Sequence, residues 1–166
     1  TAVALTEHAL ARINDDEGDG ARAFLQVYAE QALAAAHASD LLRANGLARS
    51  ALEGIPISIK DLFDYRGDIT KGASVLLKDA PPATENALLV QRLINAGAII
   101  IGRTNMTEFA FSGLGINPHY GTPRAPWKRD ENGGRIPGGS SSGAGVSVAN
   151  GMAVAAIGTD TGGSIR

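Results

Sequence analysis

The chain has 166 residues, with 15 Lys and Arg against 17 Asp and Glu for a net charge of −2, 44% hydrophobic residues and no cysteine. That composition supports one hydrophobic core and excludes disulfide frameworks, thiolate nucleophiles and Cys-ligated zinc. Beyond Arg124, Lys128 and Arg129 there is no basic cluster to attract nucleic acid or an anionic membrane. Residues 1–14 are broken by Glu7, His8 and Arg12 and lack a signal-peptide core, and the longest apolar runs fall far short of the roughly 20 residues that span a bilayer, so a cytoplasmic protein is expected.

In chain order, residues 14–20 (NDDEGDG) read as a solvated acidic turn and residues 23–27 as a short strand. Residues 28–45 place Leu33, Ala36, Leu41 and Ala44 near helical spacing, with Asn45-Gly46 as a left-handed stop. Ile55, Ile57 and Ile59 alternate with Pro56, Ser58 and Lys60, the period of a strand with one face buried, so Lys60 points away from the isoleucines. Thr84 is placed to N-cap a helix carrying Leu88, Leu89, Leu93 and Ile94 that stops at Asn95-Ala96-Gly97. Residues 98–101 follow as a buried strand. Residues 117–139, rich in Pro, Gly and charge, read as a long surface connection. Residues 142–150 form a small-residue helix stopped by Gly151, and residues 152–157 another buried strand. Strand and helix alternating in this way argue for an α/β fold with a largely parallel sheet, and no repeat or linker divides the chain.

Ten of the 21 glycines lie between Gly133 and Gly163, concentrated in PGGSSSGAG (residues 137–145) and GTDTGGSIR (residues 158–166). A dinucleotide fingerprint fails because Val148 stands where the third glycine belongs, and a P-loop fails because Ala144 replaces the essential lysine. A nucleophile elbow centred on Ser141 fails because NGGRIPGG cannot be a core strand and the three histidines, His8, His37 and His119, all come earlier. Those histidines are too scattered for a metal site. One chemistry needs no histidine: a serine activated by a lysine whose pKa is lowered from about 10.4 toward roughly 7 to 8. Lys60 is the candidate base, set against the plainer reading of a solvated lysine. Thr161, Gly162 and Gly163 form a turn whose amides can converge beside Ser164, the geometry of an oxyanion hole, where each donor contributes about 3 to 4 kcal/mol.

These motifs resemble the amidase signature family. The resemblance rests on GGSSSGAGVSVANG (residues 138–151) running into AAIGTDTGGSIR (residues 155–166), on GIPISIKD (residues 54–61) upstream, and on GRTNMTEFA (residues 102–110). Ser140 and Ser164 are 24 residues apart, in keeping with it. It implies an α/β/α sandwich around a mixed, largely parallel twisted sheet. It implies Ser164 as nucleophile, Ser140 after a cis peptide bond as proton relay and Lys60 as general base. It further implies Thr161, Gly162, Gly163 and Ser164 as oxyanion amides, Ser142 as a supporting hydrogen bond, and Asp160 with Arg166 as a bracing pair. The implied reaction cleaves a carboxylic amide to acid plus ammonia or amine, with no metal or organic cofactor and no direct nucleic-acid or membrane contact, on a small-molecule amide, with room for a homodimer. SGLGINPHYGTPRAPW (residues 112–127) and Thr107 in NMTEF look more like stand-alone bacterial amidases than like the A subunit of a tRNA-dependent amidotransferase. Residues 1–166 are expected to be one amidase signature domain, incomplete at its C-terminus; an inactive truncated α/β binding domain is the reading outside enzymology.

Overall fold

The structure, a computed structural model, describes residues 1–166. The elements in order are α1 (Ala2–Ile13), α2 (Gly20–Ala23), β1 (Phe24–Val27), α3 (Ala29–Ala44), β2 (Pro56–Lys60), α4 (Leu88–Asn95), β3 (Ile99–Thr104), α5 (Ser142–Ala149) and β4 (Ala155–Ile157). The four strands form one sheet in the order β1-β3-β2-β4. β2, β3 and β4 run parallel and β1 lies antiparallel on the outer side of β3, giving the mixed sheet expected.

Alternation along β3 divides the core. Ile99 and Ile101 pack with α1, α3 and α5 through Ala9, Leu10, Ala32, Ala36 and Val146. Ile100 faces the other way with Ile57, Ile59 and Val90, the last from α4. α1 follows the same physics: Ala2, Thr6, Ala9, Leu10 and Ile13 form its buried stripe. Its first turn is capped twice, since the Thr1 hydroxyl accepts from Ala4 N at 3.1 Å and the Asp40 carboxylate of α3 accepts from Ala2 N at 2.7 Å and Val3 N at 3.1 Å.

Several local expectations are corrected. β2 is buried along its whole length, not on one face alone, because α5 covers the side carrying Ser58 and Lys60; Ser58 and Ser147 share a hydrogen bond of 2.9 Å. Thr84 caps nothing: α4 begins after Ala87. The preceding backbone is tied instead to residues 64–68 by Ala83 N to Asp68 O at 2.9 Å and Ala87 N to Asp64 O at 2.8 Å, with a bend at Thr84. β3 runs on through Gly102 to Thr104, where the Phe24 ring packs on the glycine. The last strand shortens to Ala155–Ile157 because the backbone before it is used in leaving α5, where Met152 N donates to Ser147 O at 2.8 Å. The acidic turn is not wholly solvated: Asp19 is buried and accepts from the backbone and guanidinium of Arg124, pinning the long 117–139 connection to the N-terminal region.

Candidate active site

In-register pairing of Ile59 with Arg103, Lys60 with Thr104, and Ile59 with Ile157 brings the C-terminal ends of β2, β3 and β4 to one end of the sheet. Crevices at such ends are where parallel sheets take ligands. Lys60 is the last residue of β2 and is 0% exposed. Its Nζ donates to Ser140 Oγ at 2.7 Å, Ser141 Oγ at 3.0 Å and Thr159 Oγ1 at 2.7 Å, which accounts for all three ammonium hydrogens. Burial brings its pKa down to about 8, with the Asp160 charge opposing the shift. The solvated-lysine reading therefore fails, since α5 and its preceding loop cover the face on which Lys60 lies.

Those serines sit in an irregular loop entering α5. The Gly139-Ser140 peptide is cis, and the Ser140 carbonyl accepts from Thr107 N at 3.0 Å. Gly143 closes the approach: a Cβ there would lie 2.3 Å from Ala23 O and 2.7 Å from Asn105 N, so only glycine lets Gly143 N reach Asn105 O at 2.9 Å. Asn105 is itself fixed by Nδ2 bonds to Arg22 O at 2.9 Å and Gly121 O at 2.8 Å. The GRTNMTEFA stretch thus serves as the seat of the serine loop.

On the opposite face of the sheet from Lys60, the wholly buried Arg103 holds the β2 end in place. Its Nη1 donates to Asp61 Oδ1 at 3.0 Å and Phe63 O at 2.9 Å, and its Nε to Asp68 Oδ2 at 3.2 Å. Asp68 also accepts the Tyr28 hydroxyl. Burial pushes the Asp61 carboxyl up and the Tyr28 phenol up, each against the pull of the Arg103 charge.

The third segment leaves β4 and winds around Asp160. That carboxylate accepts from the amides of Gly163 at 2.8 Å, Ile165 at 3.2 Å and Arg166 at 3.1 Å, and from Arg166 Nη2 at 2.8 Å. These bonds, Arg166 first, hold the Asp160 carboxyl far below its ordinary pKa. Ser164 is half-buried and lines a cavity of about 890 Å³ with Ser141, Gly139, Phe111, Val148 and Val154. Its carbonyl accepts from Ser141 N at 3.2 Å, which seats the turn against the serine loop.

The structure thus brings Lys60, Ser140, Ser141 and Thr159 into direct contact and places Ser164 over the adjoining cavity. Three expected contacts differ. The Gly163 amide is engaged by Asp160 and is no open oxyanion donor, whereas those of Thr161, Gly162 and Ser164 make no backbone bond. Ser164 Oγ makes no hydrogen bond to Ser140, because the turn is wound on Asp160 and meets the serine loop through its carbonyl. Ser142 Oγ is buried without a partner; the supporting bond comes from Ser141 instead. Ser141 and Thr159 were within the quoted motifs, but their role depends on a lysine 81 and 99 residues away. The histidines His8, His37 and His119 lie on the surface, and no group of three metal-binding side chains exists in the structure.

A family model described as Amidase matches residues 4–166. The chain belongs to the amidase signature family. The glutamyl-tRNA(Gln) amidotransferase of Chloroflexus aggregans has an A subunit that is 47% identical to this amidase-family chain over 167 residues, covering 100% of it and 33% of the relative. A solved structure from a vestigial protein complex that reveals the evolutionary origins of an s-triazine catabolic enzyme has 42% identity and a TM-score of 0.89, over 99% of this chain and 35% of its own. The peptide amidase of Stenotrophomonas maltophilia has 37% identity and a TM-score of 0.84, over 99% and 34% respectively. The chain spans about a third of the length of the curated relatives it matches. No helix is long and apolar enough to cross a membrane.

Proposed function

We propose that these residues carry the acyl-transfer chemistry of a serine amidase. The observation that carries the reading is the wholly buried Lys60, its pKa held near 8, with Nζ 2.7 Å from Ser140 Oγ. Neutral Lys60 takes the Ser140 hydroxyl proton while Ser140 takes that of Ser164, and Ser164 Oγ bonds to the amide carbon. This requires Ser164 to swing its hydroxyl toward Ser140 as substrate enters the cavity. The amides of Thr161, Gly162 and Ser164 supply the charge-stabilising donors for the resulting oxyanion. Its collapse breaks the carbon–nitrogen bond, and the leaving nitrogen receives the proton from Lys60 through Ser140. Water then cleaves the ester by the same relay, releasing the acid and restoring Ser164. Asp160 and Arg166 brace the turn. In this reading residues 1–166 belong to a single amidase signature domain acting in the cytoplasm on a small amide, needing no metal or organic cofactor.

Intact-mass spectrometry with a serine-directed fluorophosphonate tests it. One added phosphonyl group, lost in Ser164→Ala together with amide hydrolysis, is the expected result; wild-type turnover in Ser164→Ala would sink the assignment. A second reading, favoured by the 47% identity to the Chloroflexus aggregans protein, is that the acyl donor is glutamine and the ammonia passes to a partner protein. Hydrolysis of glutamine in preference to simple monoamides selects that alternative. Sedimentation of the purified protein decides between monomer and homodimer.

A further inference from the structure

The Lys60 to Ser140 contact is one link of a closed circuit. Asp61 follows Lys60 in the chain, and its carboxylate accepts from Ala73 N at 2.7 Å while its carbonyl accepts from Gly72 N at 2.9 Å. Residues 72–74 then grip residues 106–109 at three successive points. Gly72 O accepts from Phe109 N at 2.9 Å. Asn117 Nδ2 donates to both Ala73 O at 2.9 Å and Met106 O at 3.0 Å. Ser74 Oγ donates to Glu108 Oε1 at 2.6 Å. Thr107 N, one residue before that glutamate, donates to the Ser140 carbonyl and closes the circuit.

Within it, Ala73 (φ 51°), Phe109 (φ 50°) and Ala110 (φ 59°) occupy the left-handed region without being glycine. Side-chain-bearing residues hold that conformation only where their surroundings over-determine it. Ser74 is wholly buried, and its oxygen also accepts from Leu76 N at 3.2 Å, so its single proton is committed to Glu108. Short bonds to a carboxylate are the strong kind. His119 Nε2 lies 3.5 Å from the same Oε1 on the outer side.

We infer that Glu108 is a positioning residue for the Lys60 and Ser140 pair: by clasping Ser74 it fixes the turn that presents Thr107 N to the Ser140 carbonyl and so holds the Ser140 hydroxyl on the lysine. The inference rests on the serine-amidase reading above. It differs from ordinary fold support in requiring the loss to fall on kcat, since small displacements of a proton-relay group cost rate out of proportion to stability.

The test compares Glu108→Ala, Glu108→Gln and Ser74→Ala in the full chain by amide-hydrolysis kinetics, fluorophosphonate labelling rate and urea unfolding. Glu108→Ala is expected to lower kcat and the labelling rate by about 10- to 100-fold with KM within about twofold of wild type. Glu108→Gln, whose Oε1 still accepts from Ser74, retains at least about a third of wild-type kcat. Glu108→Ala with wild-type kcat, or a Gln variant as impaired as the Ala variant, overturns the inference. Should Glu108→Ala not fold, Ser74→Ala decides: a fall in kcat at unchanged KM supports the clasp and wild-type kcat refutes it. A wild-type protein that takes no phosphonyl group, or an active Ser164→Ala protein, removes the catalytic reading and this inference with it; labelled wild type with unimpaired clasp variants removes the inference alone.

Discussion

Acylation of Ser164 is expected to follow the neutral fraction of Lys60. Burial holds that lysine at about 8. The neutral form is then about 1% of the total at pH 6, about 9% at pH 7, half at pH 8 and about 90% at pH 9. The phosphonylation rate should therefore rise about ninefold from pH 6 to 7, about fivefold from 7 to 8, and less than about twofold from 8 to 9. The bonds to Ser140, Ser141 and Thr159 and the Asp160 charge favour the ammonium, while loss of water disfavours it; the midpoint reports which prevails. Pseudo-first-order labelling, followed by intact mass at fixed ionic strength, measures the curve. A rate that is flat from pH 6 to 9, or still climbing tenfold per unit above pH 9 as for a solvated lysine near 10.4, would refute the reasoning.

Thr159→Val removes one acceptor of the ammonium and should lower the labelling midpoint below that of wild type, read from the same curve. Because the folded pKa of Lys60 lies below its unfolded value, the unfolded chain binds the extra proton between pH 8 and 10.5, and this site's contribution to stability rises with pH across that window. In urea titrations, wild type minus Lys60→Met should show that rise, of order 3 kcal/mol, with Lys60→Met the more stable protein at pH 7. Arg103→Met leaves Asp61 buried beside an empty partner and should cost about 3 to 5 kcal/mol, part of it recovered in Arg103→Met with Asp61→Asn, by thermal and urea unfolding. Gly143→Ala forces its Cβ to within 2.3 Å of Ala23 O, so labelling of Ser164 should fall along with a destabilisation of about 1 to 3 kcal/mol.

Features carried by short-range pattern were legible in the amino-acid order. α3 ends where Asn45-Gly46 predicts, and Gly46 and Gly97 adopt positive φ at their helix stops. The cis peptide before Ser140 and the ion pair of Asp160 with Arg166 are of another kind: only the family resemblance, not residue pattern, raises them as expectations. What escaped is what depends on distant partners. Thr84 carries the right side chain for a cap, yet residues 64–68 claim the backbone that would have to coil. Asp19 looks like surface charge until Arg124, 105 residues later, returns to it. Ser142 and Ser141 are indistinguishable as letters; the approach of α5 to β2 decides that Ser141 faces Lys60.

The Lys60 to Ser140 bond joins positions 80 residues apart, across a parallel pairing that needs the whole β2 to β3 crossover. Loop closure of that length costs entropy before any contact repays it, so such contacts form late. A chain still emerging from synthesis keeps its lysine in water, fully charged and unable to accept a proton. In the serine-amidase reading proposed above, the base is therefore not a residue the polypeptide possesses from the start but a property that arises when segments 80 residues apart meet, and reactivity waits on that meeting.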